Sequence, residues 1–186
     1  MPTTTTHPSY RGRPMRLDDE HWGPLNVSTD IAGDPAALRA RMKRDGYLYM
    51  PGLLPRNVVL EAGNEVKRRL ASLDALDPAY PPEDGIGRPG VSRGEAHELA
   101  IDNEPVDRAI YGPEMLGFFY SFLGGKVRHF DRTWLRAKAP SDDNAAHPHY
   151  DVVFMGRGTK QLFTAWTPMT DVPLEMGGLM ALEDSH

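Results

Sequence analysis

Apolar residues recur at helical spacing in stretches between about residues 34 and 125 and then give way to short aromatic and β-branched runs. Asp34, Pro35 and Gly46 frame the first helical segment. They supply a carboxylate that can cap free N–H groups, a ring already at helical φ, and a residue that leaves the helix left-handed at no steric cost. Within it Leu38 and Met42 lie four apart, on one helical face. Tyr47-Leu48-Tyr49-Met50, stopped by Pro51-Gly52, predicts a short strand. Over residues 56–73, Val58, Val59, Ala62, Val66, Leu70 and Leu73 make an apolar stripe. Glu61, Glu65, Lys67, Arg68 and Arg69 are predicted to face water from the same helix. Residues 77–94 are dense in Pro, Gly and charge and predict a long loop. A further helical region is predicted over 104–123, interrupted at Gly112-Pro113 and closed by Gly124-Gly125.

Beyond that point the pattern predicts strands over 127–137, 149–155, 160–167 and 178–182, with Gly156-Arg157-Gly158 as a turn. Helices followed by strands in quick antiparallel succession make the expected class α+β, mainly β. Residues 1–30 are polar and broken by Pro and Gly, so a flexible N-terminal tail is expected ahead of a domain over 31–186. Its helical part spans 31–125 and its β part 126–186.

Composition narrows the function classes. With 40% hydrophobic and 25% charged residues among 186, the chain has the balance of a globular protein. It has no cysteine, which excludes disulfides, Cys-ligated metal sites and thiol nucleophiles. A net charge of −5 without a basic run gives no nucleic-acid surface. No apolar stretch approaches the length of about 18 residues that a membrane span needs. The N-terminus also lacks the apolar core of a secretory signal, so the expected location is the cytoplasm.

The informative segment is His147-Pro148-His149-Tyr150-Asp151. On an extended chain His149 and Asp151 point to the same side, with Cα atoms roughly 7 Å apart. An imidazole and a carboxylate can converge on one ion from that separation, and the pair suits a non-heme Fe(II) site that a second His would complete. A His two places from an Asp is also common by chance, and taken alone is more often a surface hydrogen-bonded pair than a metal site.

A wider set of motifs accompanies it. Thr133-Trp134-Leu135-Arg136-Ala137-Lys138-Ala139-Pro140 precedes the segment, and Arg157-Gly158-Thr159, Trp166-Thr167-Pro168-Met169, Gly177-Gly178-Leu179 and Asp184-Ser185-His186 follow it. In that order, and with Asp45-Gly46-Tyr47 as an N-terminal entry, the run from residue 39 to 186 resembles the phytanoyl-CoA dioxygenase family. The resemblance implies a double-stranded β-helix, a cupin-like jelly-roll of two facing sheets with the N-terminal helices packed on one of them. It implies Fe(II) and 2-oxoglutarate as cofactor and cosubstrate. It also implies a dioxygenase that hydroxylates or otherwise oxidises a small organic substrate, consuming O2 and releasing succinate and CO2.

Carried over by position, His149 and Asp151 match the iron-binding pair, and Trp166 matches a tryptophan that lines the 2-oxoglutarate pocket. Trp134 falls where the family has an apolar residue near that cosubstrate, and Tyr150 stands between the ligands. Core packing is the alternative fate of both tryptophans. A carboxylate at Asp151 also speaks against the halogenating variant of this chemistry, in which a small residue makes room for chloride.

In the family, the distal His ligand and the Arg that holds 2-oxoglutarate come after the motif matched by Asp184-Ser185-His186, so both are expected beyond His186. A jelly-roll needs about eight strands, and only about half of them are predicted, so the chain is expected to be part of a longer enzyme. Two further readings stay open. One is a jelly-roll protein that binds a metal or small molecule without turnover. The other is a site that takes His186 as its third ligand.

Overall fold

The computed structural model describes residues 9–91, 96–137 and 146–186. Lys138, Ala139 and Pro140 of the motif run lie outside the described residues. Helix α1 (Pro35–Asp45) forms where its punctuation places it. The Asp34 carboxylate accepts the N–H groups of Ala36 and Ala37 at 2.9 and 3.0 Å, satisfying two donors that the first turn leaves free. At the other end Gly46 adopts φ 77° and donates its N–H to the Met42 carbonyl. Helix α2 (Arg56–Ser72) carries the predicted apolar stripe, with Val58 and Ala62 buried.

The third helical region is divided by Gly112 into α3 (Glu104–Tyr111) and α4 (Pro113–Leu123). Pro113 occupies the first turn of α4, where its missing N–H costs nothing. Buried Asn103 caps α3: its side-chain oxygen accepts the Val106 N–H at 3.2 Å, and its amide donates to the Leu99 carbonyl at 2.8 Å.

The core lies between α2 and α3. Val58, Ala62, Ala96, Leu99, Ala100, Val106, Ala109 and Leu135 form one buried cluster, with Val66, Leu70 and Met169 packed against it. A second contact joins α1 to α4, where Arg39 donates to the Phe122 carbonyl at 2.8 Å.

Arg69 departs from expectation. The helical pattern turns it to water, yet its guanidinium reaches the carbonyls of Ile101 and Asp102 at 2.5 and 2.6 Å. A long side chain with five fixed donors can leave the polar face of α2 and satisfy loop carbonyls beside the core.

The predicted strand at Tyr47–Met50 reduces to one parallel bridge between Tyr49 and Val27. The loop over 77–94 folds back on itself through an antiparallel bridge between Leu76 and Gly87. Residues 9–14 form a hairpin, β1 (Ser9–Tyr10) and β2 (Arg13–Pro14), which is the one sheet among the described residues.

The strands expected over 127–137, 149–155, 160–167 and 178–182 are not formed as ladders among the described residues. Short 3-10 turns occupy Asp151–Val153, within one of these runs, and Leu174–Met176, in the loop before the last. The reason is physical: an apolar run becomes a strand only when a neighbour takes up its N–H and C=O groups. No ladder joins these runs to another described segment, although the Leu135 carbonyl takes up the Ala96 N–H.

What holds residues 126–186 to the helices is a set of separate anchors. The Leu135 carbonyl accepts the Ala96 N–H at 2.9 Å inside the core. Phe163 sets its ring edge-on to Phe122, with centroids 5.0 Å apart. His186 lies against Gly46, and its Nε2 donates to the Lys43 carbonyl at 3.0 Å, at the end of α1. From the other side, Tyr10 of the hairpin donates to the Ala146 carbonyl at 2.9 Å, one residue before His147. Among the described residues no helix is long and apolar enough to cross a membrane.

Candidate metal centre

Tyr150 is the one residue between the two candidate ligands, and its backbone is extended, at φ −108° and ψ 130°. One extended residue is enough to turn the side chains on either side of it the same way. His149 Nε2 and Asp151 Oδ1 accordingly stand 3.3 Å apart, although no strand is present. Asp151 then opens the 3-10 turn, which brings Phe154 against the imidazole, ring edge to face at 5.7 Å and 77°. The two polar side chains are 36% and 24% exposed, open enough to admit an ion and reactants.

Each ligand is held by a second partner. His149 Nδ1 donates to the His147 carbonyl at 2.5 Å. A carbonyl only accepts, so Nδ1 carries the proton, and in the neutral ring Nε2 presents its lone pair to the carboxylate. Two acceptors that face each other at 3.3 Å are matched by a proton or a metal ion between them. Asp151 Oδ2, turned away from the imidazole, accepts the hydroxyl of Thr164.

This donor set fits a divalent metal. Donors about 2.1 Å from a shared ion and roughly at right angles lie about 3 Å apart, close to the separation observed here. One imidazole and one carboxylate, with open positions left over, are the ligand chemistry of non-heme Fe(II). The His149–His147 contact is of the kind that fixes the tautomer of an imidazole able to bind a metal.

The other residues singled out from the sequence are placed differently. Tyr150 points away from the pair and donates its hydroxyl to the Ser185 carbonyl. Trp166 and Trp134 are 51% and 39% exposed, so neither is a core residue among the described contacts. His186, the alternative third ligand, has its Nε2 on the Lys43 carbonyl at the end of α1. Among the described residues no third His, Asp or Glu joins His149 and Asp151.

Phe154 and Thr164 were not foreseen. Thr164 meets Asp151 across 13 residues of chain, a separation that no local pattern encodes. A second acidic group, Asp18, Glu20 and His21, gathers its ligand atoms within 4.8 Å. All three are exposed, and the His21 hydrogen bond to Asp18 lowers the Asp18 carboxyl below its ordinary range, as in a solvated turn.

Comparison with known proteins shows what the chain as a whole is similar to. The chain is 28% identical over 166 residues to a 1-deoxypentalenic acid 11-beta-hydroxylase of Streptomyces exfoliatus, across 85% of this chain and 56% of that enzyme. It therefore spans a little over half the length of that relative. No solved structure matches. The sequence model of the phytanoyl-CoA dioxygenases matches residues 42–186, from the last turns of α1 through the His149–Asp151 pair to His186, and the chain belongs to that family.

Proposed function

We propose that the chain carries the Fe(II)-binding and part of the 2-oxoglutarate-binding machinery of a dioxygenase that hydroxylates a small organic substrate within a jelly-roll fold. Membership of an oxygenase family and likeness to a hydroxylase support the class of reaction. The observation that carries the proposal is the convergence of His149 Nε2 and Asp151 Oδ1 at 3.3 Å, with the proton fixed on the far ring nitrogen.

Ferrous iron with bound 2-oxoglutarate would supply O2 activation and the oxidation of an unactivated C–H bond. His149 offers a neutral lone pair because its Nδ1–H is already engaged. Asp151 offers a negative charge that offsets part of the ion's own, and Phe154 shields the imidazole on one side. Trp166, half exposed, is the residue proposed to line the cosubstrate pocket, with Trp134 and Tyr150 as further candidates.

The test is anaerobic Fe(II) titration of the 186-residue chain. Binding is expected to weaken at least tenfold in His149→Ala and in Asp151→Ala, the scale on which lost metal contacts are felt. Equal affinity in wild type and both variants would overturn the proposal.

A second reading, binding without turnover, is favoured by the two-donor count among the described residues. It predicts His149-dependent metal binding with no release of succinate when 2-oxoglutarate and O2 are supplied. Succinate release that disappears in His149→Ala decides for the enzyme.

A further inference from the structure

We infer that Thr164 is a positioning residue for the metal carboxylate, pinning one oxygen of Asp151 so that only the other is offered to the ion. The inference rests on the reading of His149 and Asp151 as metal ligands.

The two carboxylate oxygens have different surroundings. Oδ1 faces His149 Nε2 at 3.3 Å, whereas Oδ2 accepts from Thr164 Oγ. A carboxylate cannot donate, so the hydroxyl is the donor and its proton is directed at Oδ2. A hydroxyl bonded to an ionised carboxylate makes one of the stronger classes of hydrogen bond. Rotation of Asp151 towards a two-oxygen grip on the ion would break that bond. One-oxygen ligation leaves an additional coordination position for reactants.

Thr164 can act this way because its own segment is fixed. Its neighbour Phe163 packs on Phe122 of α4. Five residues on, Met169 packs against the buried cluster and touches Gly63 of α2. The carboxylate is thereby referred to the helical core rather than to the turn on which it sits. The β-branched threonine also restricts its own χ1, so the hydroxyl is aimed with little rotamer freedom.

The experiment is Co(II) titration of the 186-residue chain and its Thr164→Val, Thr164→Ser and His149→Ala variants. Calorimetry reads affinity, and visible absorption reads the coordination of the bound ion. Outer partners of ligating carboxylates and imidazoles typically contribute about 10–100-fold to metal affinity. Thr164→Val is expected to bind Co(II) at least tenfold more weakly, with an altered visible band, while Thr164→Ser keeps both near wild type.

Wild-type affinity and band in Thr164→Val, together with lost binding in His149→Ala, would overturn the inference and leave the metal pair standing. Failure of Thr164→Ser to restore either property would overturn the hydroxyl's role. Wild-type binding in His149→Ala would remove the underlying reading and the inference with it. Circular dichroism checks folding, and Thr164→Ala replaces the valine variant under the same criteria if that chain does not fold.

Discussion

Gly63 of α2 meets the backbone of Met169 directly: a Cβ placed at residue 63 would stand 2.1 Å from the Met169 carbonyl oxygen. The contact sets the helical part directly against the segment that carries Thr164 and Trp166. In Gly63→Ala two effects oppose each other. Alanine in mid-helix gains about 1 kcal/mol in propensity over glycine. Overpacking costs about 1–3 kcal/mol, and here the obstacle is backbone, which cannot swing aside as a side chain can. The clash should win. The expected outcome is a lower urea midpoint at an unchanged m-value, and a midpoint at or above wild type would contradict the contact.

Ser28 is fully buried, and its hydroxyl has no hydrogen-bond partner among the described residues. Its backbone N–H, in contrast, is satisfied by the Tyr49 carbonyl at 2.8 Å. An unpaired buried hydroxyl costs about 1–3 kcal/mol of desolvation, and its removal leaves a space of only one atom. Ser28→Ala is therefore expected to be neutral or to raise stability by up to about 1 kcal/mol. A loss of more than that in chemical denaturation would mean that the hydroxyl has a partner.

Glu65 gives the fold a dependence on acid. Arg68 and then Arg69 donate to its carboxylate at 2.6–2.8 Å and hold the carboxyl at about 2, against an ordinary value near 4.5. The folded state thus binds the proton less readily than the unfolded chain. The stabilisation is fully present above the unfolded value and is lost as pH falls from about 4.5 towards 2. Surface screening reduces the effect to the order of 1–2 kcal/mol. Glu65→Gln should be less stable than wild type at neutral pH, and the gap should close as pH approaches 2. A constant gap across that window would show that the ion pair contributes nothing.

The helices were legible because their ends are written locally. Asp34 and Gly46 bound α1, and Pro113 splits the helical region at the position where α4 begins. The His149–Asp151 pair was legible for a similar reason, since convergence needs only the extended backbone of Tyr150 between them. Features that depend on distant chain were not legible. Arg69 reads as a surface residue on any helical pattern, and the loop carbonyls it reaches lie more than 30 residues away. Thr164 is one ordinary threonine until the fold brings it to Asp151. Strand pairing depends on distant chain in the same way, because a strand is defined by a neighbour that its own sequence does not contain.

Asp151→Asn separates the stability of the pair from its affinity for metal. In the wild-type chain the Nε2 lone pair of His149 faces a carboxylate oxygen, an arrangement that lacks a donor unless a proton or a metal lies between them. An asparagine can keep its carbonyl oxygen on Thr164 and turn its amide towards His149, so that the amide donates to Nε2. The variant thereby gains one hydrogen bond, about 0.5–1.5 kcal/mol and towards the lower end at this partial exposure, and loses the negative charge that a divalent ion needs. Without metal, its melting temperature should equal or exceed that of wild type. Added Co(II) should raise the melting temperature of wild type, because binding to the folded state alone stabilises by mass action, and should leave the variant unmoved. A Co(II)-dependent rise of equal size in both proteins would place the ion elsewhere on the chain.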